Sequence, residues 1–278
     1  MELSRNLSTE GVDERFADLD RMDVGELAHV MNAADREVPD AVERALPQII
    51  PAIEAVSERF ASGGRIIYVG AGTSGRLGVL DASECPPTFN TRPDQVLGLI
   101  AGGDRALRSA MEGAEDDAEQ GAQDLAAVEV GPRDAVVGIA SSGRTPYVIG
   151  ALRHAGSVGA VTVALSCNAD AEISAVAEHA IEVVVGPEVV AGSTRLRAGT
   201  AQKMVLNMIS TITMVRAGKV MGNRMVDLRA TNEKLRIRAV RMVSELAGVD
   251  EDTATGALQG SDWRVKDAVL ALRSHPES

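Results

Sequence analysis

The sequence contains few aromatic residues and only two cysteines. Aromatic side chains make up 2% of the 278 residues, so few surfaces exist on which nucleic-acid bases or sugar rings could stack. Cys85 and Cys167 have no Cys-x-x-Cys spacing, so they predict neither a disulfide framework nor a zinc site. We therefore expect two buried thiols.

Basic residues and long apolar runs are also scarce. The net charge of -12 opposes nucleic-acid or acidic-membrane partners, which are held largely by Lys and Arg. No stretch approaches the roughly 20 apolar residues of a membrane span, and the first ten residues lack a signal-peptide pattern. We expect a cytoplasmic protein. The four histidines are scattered and predict no metal site: His29, His154, His179 and His275.

Two segments rich in glycine and hydroxyl groups each follow a β-branched apolar run of strand length. The first segment (70–75) and the second (141–145) supply Gly72, Thr73, Ser74, Ser141, Ser142, Gly143 and Thr145. Loops at the carboxyl ends of parallel strands collect backbone N–H groups and hydroxyls at one sheet edge. The two segments therefore predict one cradle for the phosphate of a sugar or nucleotide.

The first segment also fits the dinucleotide-binding pattern G-x-G-x-x-G, which alone is a weak signal. A dinucleotide site needs an acidic residue at the end of the second strand. Here that strand ends in Ala101-Gly102-Gly103, and only Asp104 follows. The hydroxyls favour a sugar phosphate, and a dinucleotide or tight turns without a ligand remain the alternatives.

Strand-like runs recur near 65–69, 95–100, 134–140, 161–166 and 181–185, separated by segments long enough for helices. This alternation predicts an α/β fold with a parallel sheet covered on both faces. Apolar spacing predicts a helix from Pro39 to Phe60 and another over 198–218. We expect a polar arm at 1–38 that wraps the core or a neighbour, a sheet domain at 39–231, and three short helices at 232–278.

Two acidic segments lie near the predicted cradle. Asp81 to Pro87 places Glu84 beside a double proline and close to the proposed phosphate, although Glu84 as a helix cap or ion-pair partner is an alternative. Met111 to Asp117 carries Glu115 in a predicted crossover helix. By composition this second segment is a solvated face, and Glu115 is a poor catalytic candidate.

Several motifs together resemble one family: Gly70 to Gly78, Asp81 to Pro87, Glu112 to Asp116, Ser142 to Tyr147, Ala198 to Lys203, and Ala230 to Lys234. The chain resembles bacterial N-acetylmuramic acid 6-phosphate etherases over most of its length. The resemblance implies a sugar isomerase (SIS) domain with a five-stranded parallel sheet, a homodimer, and a small ubiquitin-associated-like helical region at the C-terminus.

The family resemblance also implies an activity without metal or cofactor. The D-lactyl ether at C3 of N-acetylmuramic acid 6-phosphate is cleaved in peptidoglycan recycling, by elimination and then hydration. Glu84 matches the proton donor to lactate, and Glu115 matches the second acid/base, acting at C2. Such an acid needs a raised pKa, from burial and the nearby phosphate. The lactyl carboxylate needs a cation, and five are candidates: Arg76, Arg144, Arg195, Arg197 and Lys203.

Two other functions fit the same cradle. An aldose-ketose isomerase would use a single carboxylate between C1 and C2, and the two acidic segments favour the etherase over it. A sugar-phosphate sensor would bind without turnover. A sensor that regulates transcription would also need a basic DNA-binding headpiece, which residues 1–60 do not show.

Overall fold

A computed structural model describes residues 7–111, 113–227, 230 and 233–274. Glu112, Thr231, Asn232 and His275 lie outside this part of the chain. The chain divides into two compact units. The first contains the chain up to Thr213 except Pro87–Asn90, and the second contains that short segment and the chain from Met214 onward. The domain boundaries predicted after residues 38 and 231 remain predictions.

The first unit is built on a five-stranded parallel sheet in the order β2-β1-β3-β4-β5. The strands are β1 (Ile66–Gly70), β2 (Val96–Ile100), β3 (Ala135–Ile139), β4 (Val161–Ser166) and β5 (His179–Glu182). All residues of β1, β3 and β4 are buried, as a sheet covered on both faces requires. The predicted α/β fold with five parallel strands is confirmed.

Six helices accompany this sheet: α1 (Val24–Ala61), α2 (Gly72–Phe89), α3 (Asp104–Arg108), α4 (Ala118–Ala127), α5 (Pro146–Ser157) and α6 (Arg197–Arg216). In the described part of the chain, no helix is both long and apolar enough to cross a bilayer. Cys85 and Cys167 are free and buried, as predicted. Burial raises the pKa of the Cys85 thiol to about 12.

The predicted start of the first helix at Pro39 is wrong, because α1 begins at Val24 and includes Pro39 in its interior. Its start is fixed by a capping box. The Asp23 side chain accepts a hydrogen bond from the Glu26 amide, and the Glu26 side chain accepts one from the Asp23 amide. This arrangement satisfies amides that would otherwise lack partners. The buried stripe from Val42 to Phe60 is as predicted.

The described part of the predicted arm contacts the sheet domain. Three short 3-10 turns precede α1, at Ser8–Glu10, Glu14–Phe16 and Leu19–Arg21. Ser8 and the Thr9 amide both donate to the side-chain oxygen of Asn168, which follows β4. Thr9 is completely buried.

The strand order places the two glycine- and hydroxyl-rich segments side by side. The chain runs from β1 to its neighbour β2 and then returns to β3 on the other side of β1. The carboxyl ends of β1 and β3 therefore form a topological switch point, where open α/β sheets bind ligands. The first segment follows β1, the second follows β3, and Gly70 is aligned with Ile139.

The second unit contains a short antiparallel pair, β6 (Val220–Met221) and β7 (Arg224–Met225), that the sequence analysis does not predict. Three helices follow, as predicted: α7 (Glu233–Ala247), α8 (Glu251–Gly260) and α9 (Val265–Ser274). They share a buried core that includes Val243, Leu258 and Val269.

Candidate active site

The first segment is a very tight turn between β1 and α2. Gly70 ends the strand and Gly72 begins the helix, with φ of +53° at Gly72, a backbone conformation that favours glycine. A Cβ on Gly75 would lie 2.6 Å from a side-chain carbon of Ile100. Because these glycines have no side chains, the first turn of α2 packs directly against the ends of the strands. Thr73 and Ser74 therefore lie in the first turn of α2, where unpaired backbone amides are available to bind an anion.

The second segment turns from β3 into α5. Gly143 has φ of +73°, and the Ser142 hydroxyl accepts a hydrogen bond from the Arg144 amide at 3.2 Å. Thr145 is the N-cap of α5, but its side chain makes no capping hydrogen bond, and Pro146 occupies the first helical turn. The hydroxyls of Ser142 and Thr145 therefore lie beside the N-terminus of α5, and neither donates a hydrogen bond to another described residue.

A side chain of α6 connects the two segments. The buried Gln202 accepts a hydrogen bond from the Ser74 hydroxyl through Oε1 and donates one to the Ser141 hydroxyl through Nε2, each at 2.9 Å. Asn168 holds the second segment from another direction, donating to the Ser141 carbonyl at 2.9 Å. Gln202 lies within the motif Ala198 to Lys203, but the sequence predicts no function for it. Nothing in the sequence alone relates it to the two serines.

Glu115 lies beside the first segment. The Glu115 pocket has a volume of about 210 Å³, and half of its lining residues are alanines. It is lined by Ala71, Gly72, Arg76, Ala101, Ala106, Ala110, Met111, Gly113, Ala114 and Glu115. The prediction that Glu115 lies in a crossover helix is wrong, because it occupies a single 3-10 turn, Ala114–Asp116. Gly113, with φ of +78°, and the N-cap of α4 at Asp117 separate this turn from the helices on either side.

Glu84 does not line the Glu115 pocket. It lines a second hollow, the Glu84 pocket of about 240 Å³, with Leu77, Leu80, Asp81, Lys203, Leu206 and Asn207. Glu84 follows Gly72 by twelve residues of α2, which is about 18 Å along the helix axis. The prediction that Glu84 sits close to the phosphate cradle is therefore wrong within one chain. Glu84 and Glu115 are both exposed, so this chain alone does not supply the burial expected of the acid.

A buried carboxylate anchors the Glu84 pocket. Asp81 accepts hydrogen bonds from Tyr68 of β1 at 2.8 Å and from Asn207 and Ser210 of α6 at 3.1 Å. Burial raises the pKa of Asp81, although these three hydrogen bonds oppose the shift. Asp81 thereby ties α2 to both the sheet and α6. Asp81 begins the motif Asp81 to Pro87, but the sequence predicts no function for it.

The structure separates the five candidate cations. Arg76 lines the Glu115 pocket, and Lys203 lines the Glu84 pocket. Arg197 is buried and paired with Glu37 at 2.6 Å, while Arg144 lies 3.5 Å from Glu172 and Arg195 is exposed. Within the described residues, no three His, Cys, Asp or Glu side chains converge as a metal site would require.

Two family models match parts of the chain. Residues 48–156 match the N-terminal SIS domain of glucokinase regulatory protein, and residues 222–277 match the C-terminal lid domain of the same protein. Solved structures share the fold at low identity. A phosphoheptose isomerase from Neisseria gonorrhoeae has 18% identity and a TM-score of 0.53, over 69% of this chain and 98% of its own. A ligand-bound protein from Escherichia coli CFT073 has 15% identity and a TM-score of 0.52, over 73% and 97%.

Curated relatives match over almost the whole sequence. The N-acetylmuramic acid 6-phosphate etherase of Mycolicibacterium smegmatis is 56% identical over 98% of this chain and 91% of its own. That of Streptomyces coelicolor is 56% identical over 96% of this chain and 86% of its own, and that of Caldanaerobacter subterraneus is 53% identical over 96% and 87%. At this identity and coverage, the chain belongs to the N-acetylmuramic acid 6-phosphate etherase family.

Proposed function

We propose that this protein cleaves the D-lactyl ether of N-acetylmuramic acid 6-phosphate, yielding N-acetylglucosamine 6-phosphate and D-lactate, in cytoplasmic recycling of peptidoglycan sugars. The observation that carries the proposal is the identity of 53% or more to named etherases over at least 96% of the chain. The position of the two hydroxyl-rich segments at the switch point of the sheet supports it.

The 6-phosphate binds in the cradle between β1 and β3. Its ligands are hydroxyls and amides of the two segments, drawn from Gly72, Thr73, Ser74, Ser141, Ser142, Gly143 and Thr145. Helix N-termini stabilise anions through their unpaired amides and their dipoles. Such a site needs no basic cluster, which is consistent with the acidic composition of the chain.

The reaction needs one base and one acid. In the open-chain sugar, the C1 aldehyde acidifies the proton on C2. Glu115 removes that proton, the bond between C3 and the ether oxygen breaks, and Glu84 protonates the departing lactate oxygen, leaving a C2–C3 double bond. Water then adds its hydroxyl at C3 and returns a proton to C2, with the carboxylates in reversed roles.

Glu84 and Glu115 line different pockets of one chain, whereas C2 and C3 are adjacent atoms. We therefore assign the complete site to a homodimer, in which a second copy brings its own Glu84 to the Glu115 pocket. The exposure of both carboxylates in the single chain supports this arrangement. Contact with a second copy and with substrate would also supply the burial that a neutral acid needs.

Mixed dimers test this assignment. The variants Glu84→Gln and Glu115→Gln should each be inactive alone. Co-expressed, they should form mixed dimers with one intact site, restoring about a quarter of wild-type activity for random pairing. A mixture as inactive as its components, with mixed dimers verified by mass spectrometry, would place both carboxylates on the same chain.

Arg76 is the cation that we assign to the lactyl carboxylate. Its guanidinium reaches the wall of the Glu115 pocket, where it donates to the carbonyls of Ala106 at 2.8 Å and Leu107 at 3.3 Å. Those carbonyls fix its position but do not neutralise its charge. Arg197, in contrast, is already neutralised by Glu37.

The central experiment follows lactate release from N-acetylmuramic acid 6-phosphate in deuterated water, together with deuterium at C2 of the product. Wild type should give both signals. Glu115→Gln should abolish them, whereas Glu119→Gln, an equal charge change at an exposed position of α4, should not. Undiminished exchange in Glu115→Gln rejects Glu115 as the base. Saturable binding with neither signal in wild type would indicate a sensor, and a ketose product would indicate an isomerase.

A further inference from the structure

The side chain of Gln202 joins two serines, Ser74 and Ser141, that are 67 residues apart in sequence. It is completely buried and bonds Ser74 of the first segment and Ser141 of the second. We propose that Gln202 is the positioning residue of the phosphate cradle, which fixes the separation of its two halves and determines which serine hydroxyl donates a hydrogen bond to the phosphate. This inference rests on the proposed function, in which the cradle holds a sugar phosphate.

The chemistry of the amide gives the two serines different roles. A carboxamide oxygen only accepts, so the hydroxyl proton of Ser74 is committed to Gln202. The amide nitrogen donates to Ser141, so the hydroxyl proton of Ser141 is available to the phosphate. Ser142 is in the same state, because its oxygen accepts from the Arg144 amide. Ser141 and Ser142 therefore donate to the phosphate, while Ser74 acts through Gln202.

The second segment keeps its own anchors when the Gln202 bridge is removed. The Ser141 carbonyl accepts from the Cys167 amide at 3.1 Å and from Asn168 at 2.9 Å. The Gly143 carbonyl accepts from the Ile173 amide at 2.9 Å. A variant at Gln202 should therefore fold, and should lose the alignment of the cradle rather than the loop itself.

A double-mutant cycle tests this division of roles, with the affinity for N-acetylglucosamine 6-phosphate measured by calorimetry. Gln202→Leu and Ser74→Ala should each weaken binding about 10-fold, and their combination should be no weaker than Gln202→Leu alone. Ser141→Ala should weaken binding by about 10-fold or more in either background, as expected for a donor to a charged group. Thr200→Ala, an exposed position on α6, is the control and should bind normally.

A second variant separates alignment of the cradle from a merely structural role. Gln202→Glu keeps the acceptor for Ser74, but when ionised it loses the donor to Ser141 and repels the phosphate. When protonated, it regains a donor. The ratio of its dissociation constant to that of wild type should therefore fall from pH 8 toward pH 5, because burial raises a carboxyl pKa into this range.

Each contrary result has a definite meaning. If Ser74→Ala costs the same factor with and without Gln202, then Ser74 contacts the phosphate directly and the inference fails. It also fails if Gln202→Leu, shown to be folded by circular dichroism, binds like wild type, or if the Gln202→Glu ratio does not change with pH. If wild type itself does not bind N-acetylglucosamine 6-phosphate but binds the unphosphorylated sugar, the proposed function is wrong, whatever the variants show.

Discussion

The contact between α4 and α5 allows one methyl group to test how Glu115 is positioned. Gly150 of α5 lies against the first residue of α4, Ala118. A Cβ on Gly150 would lie 2.6 Å from the carbonyl carbon of Ala118 and 2.9 Å from its Cα. Ala118 is three residues beyond Glu115, and α5 follows the second segment of the phosphate cradle. The small residue therefore sets the spacing between Glu115, the proposed base, and the second segment of the proposed phosphate cradle.

The expected cost of Gly150→Ala follows from this geometry. Carbon atoms in contact settle about 3.5 Å apart or more, so the start of α4 must move by about 1 Å. Overpacking of this kind destabilises a protein by about 1–3 kcal/mol. A displacement of about 1 Å at a reacting group can lower the rate about 100-fold. We expect kcat/KM for lactate release to fall by about that factor, while the protein stays folded.

Gly156 provides a matched control on the same helix. A Cβ there would have nothing within 4 Å, so Gly156→Ala should leave the rate unchanged and stabilise the helix by about 0.5–1 kcal/mol. The assay compares lactate release by both variants at a temperature well below their unfolding transitions, which chemical denaturation defines. Wild-type kcat/KM in a folded Gly150→Ala variant would refute the idea that this contact positions Glu115.

Two further predictions concern a cation and an ion pair. Arg76→Met should slow lactate release from the substrate but leave deuterium exchange at C2 of N-acetylglucosamine 6-phosphate nearly unchanged, because that sugar has no lactyl carboxylate; an equal loss of both signals would contradict the assignment. Burial raises the pKa of Asp134, but the hydrogen bonds from Arg65 and from the Gly131 amide, together with the charge of Arg65, hold it below its usual range. Asp134→Asn should therefore lower the free energy of unfolding by about 2 kcal/mol above the unfolded pKa of about 3.9. This difference should shrink as the pH falls through the folded pKa, and a difference independent of pH down to 2 in urea titrations would contradict it.

Most of the sheet was predictable because β1 to β4 are short, nearly continuous apolar runs. Within β1, β3 and β4 every residue is buried, so the pattern is unambiguous and the predicted bounds differ from the observed ones by at most one residue. The last strand is less regular. It begins at His179, earlier than the predicted 181, because a partly exposed edge strand tolerates polar residues.

Errors at helix boundaries have local causes. The helix start was placed at Pro39 because the apolar stripe begins just beyond it at Val42, whereas Asp23 and Glu26 carry the capping-box pattern that marks the true beginning of α1. Gly113 also marks a helix boundary in the sequence, since a glycine with a positive φ commonly ends a helix. It separates Glu115 from the helices around it.

The sequence predicted only the part of the candidate site that lies at the ends of the strands. The rule that parallel strands place their following loops at one edge brings the two segments together without any knowledge of packing. The bridge through Gln202 was not predictable, because a buried glutamine on α6 has no sequence relation to Ser74 or Ser141. The separation of Glu84 from the cradle follows from the uninterrupted length of α2, which continues past Pro86 and Pro87.

Three carboxylates of the first unit have environments that suit different tasks. Both oxygens of Asp81 are already occupied, one by Tyr68 and the other by Asn207 and Ser210, so Asp81 cannot present a proton to a substrate without breaking the link between α2, the sheet and α6. Glu84 lies one helical turn further on the same pocket wall, exposed and without a hydrogen-bond partner among the described residues. Glu115 is exposed in the same way. The carboxylate held most firmly is therefore the structural one, and the two left accessible are those for which proton transfer is proposed.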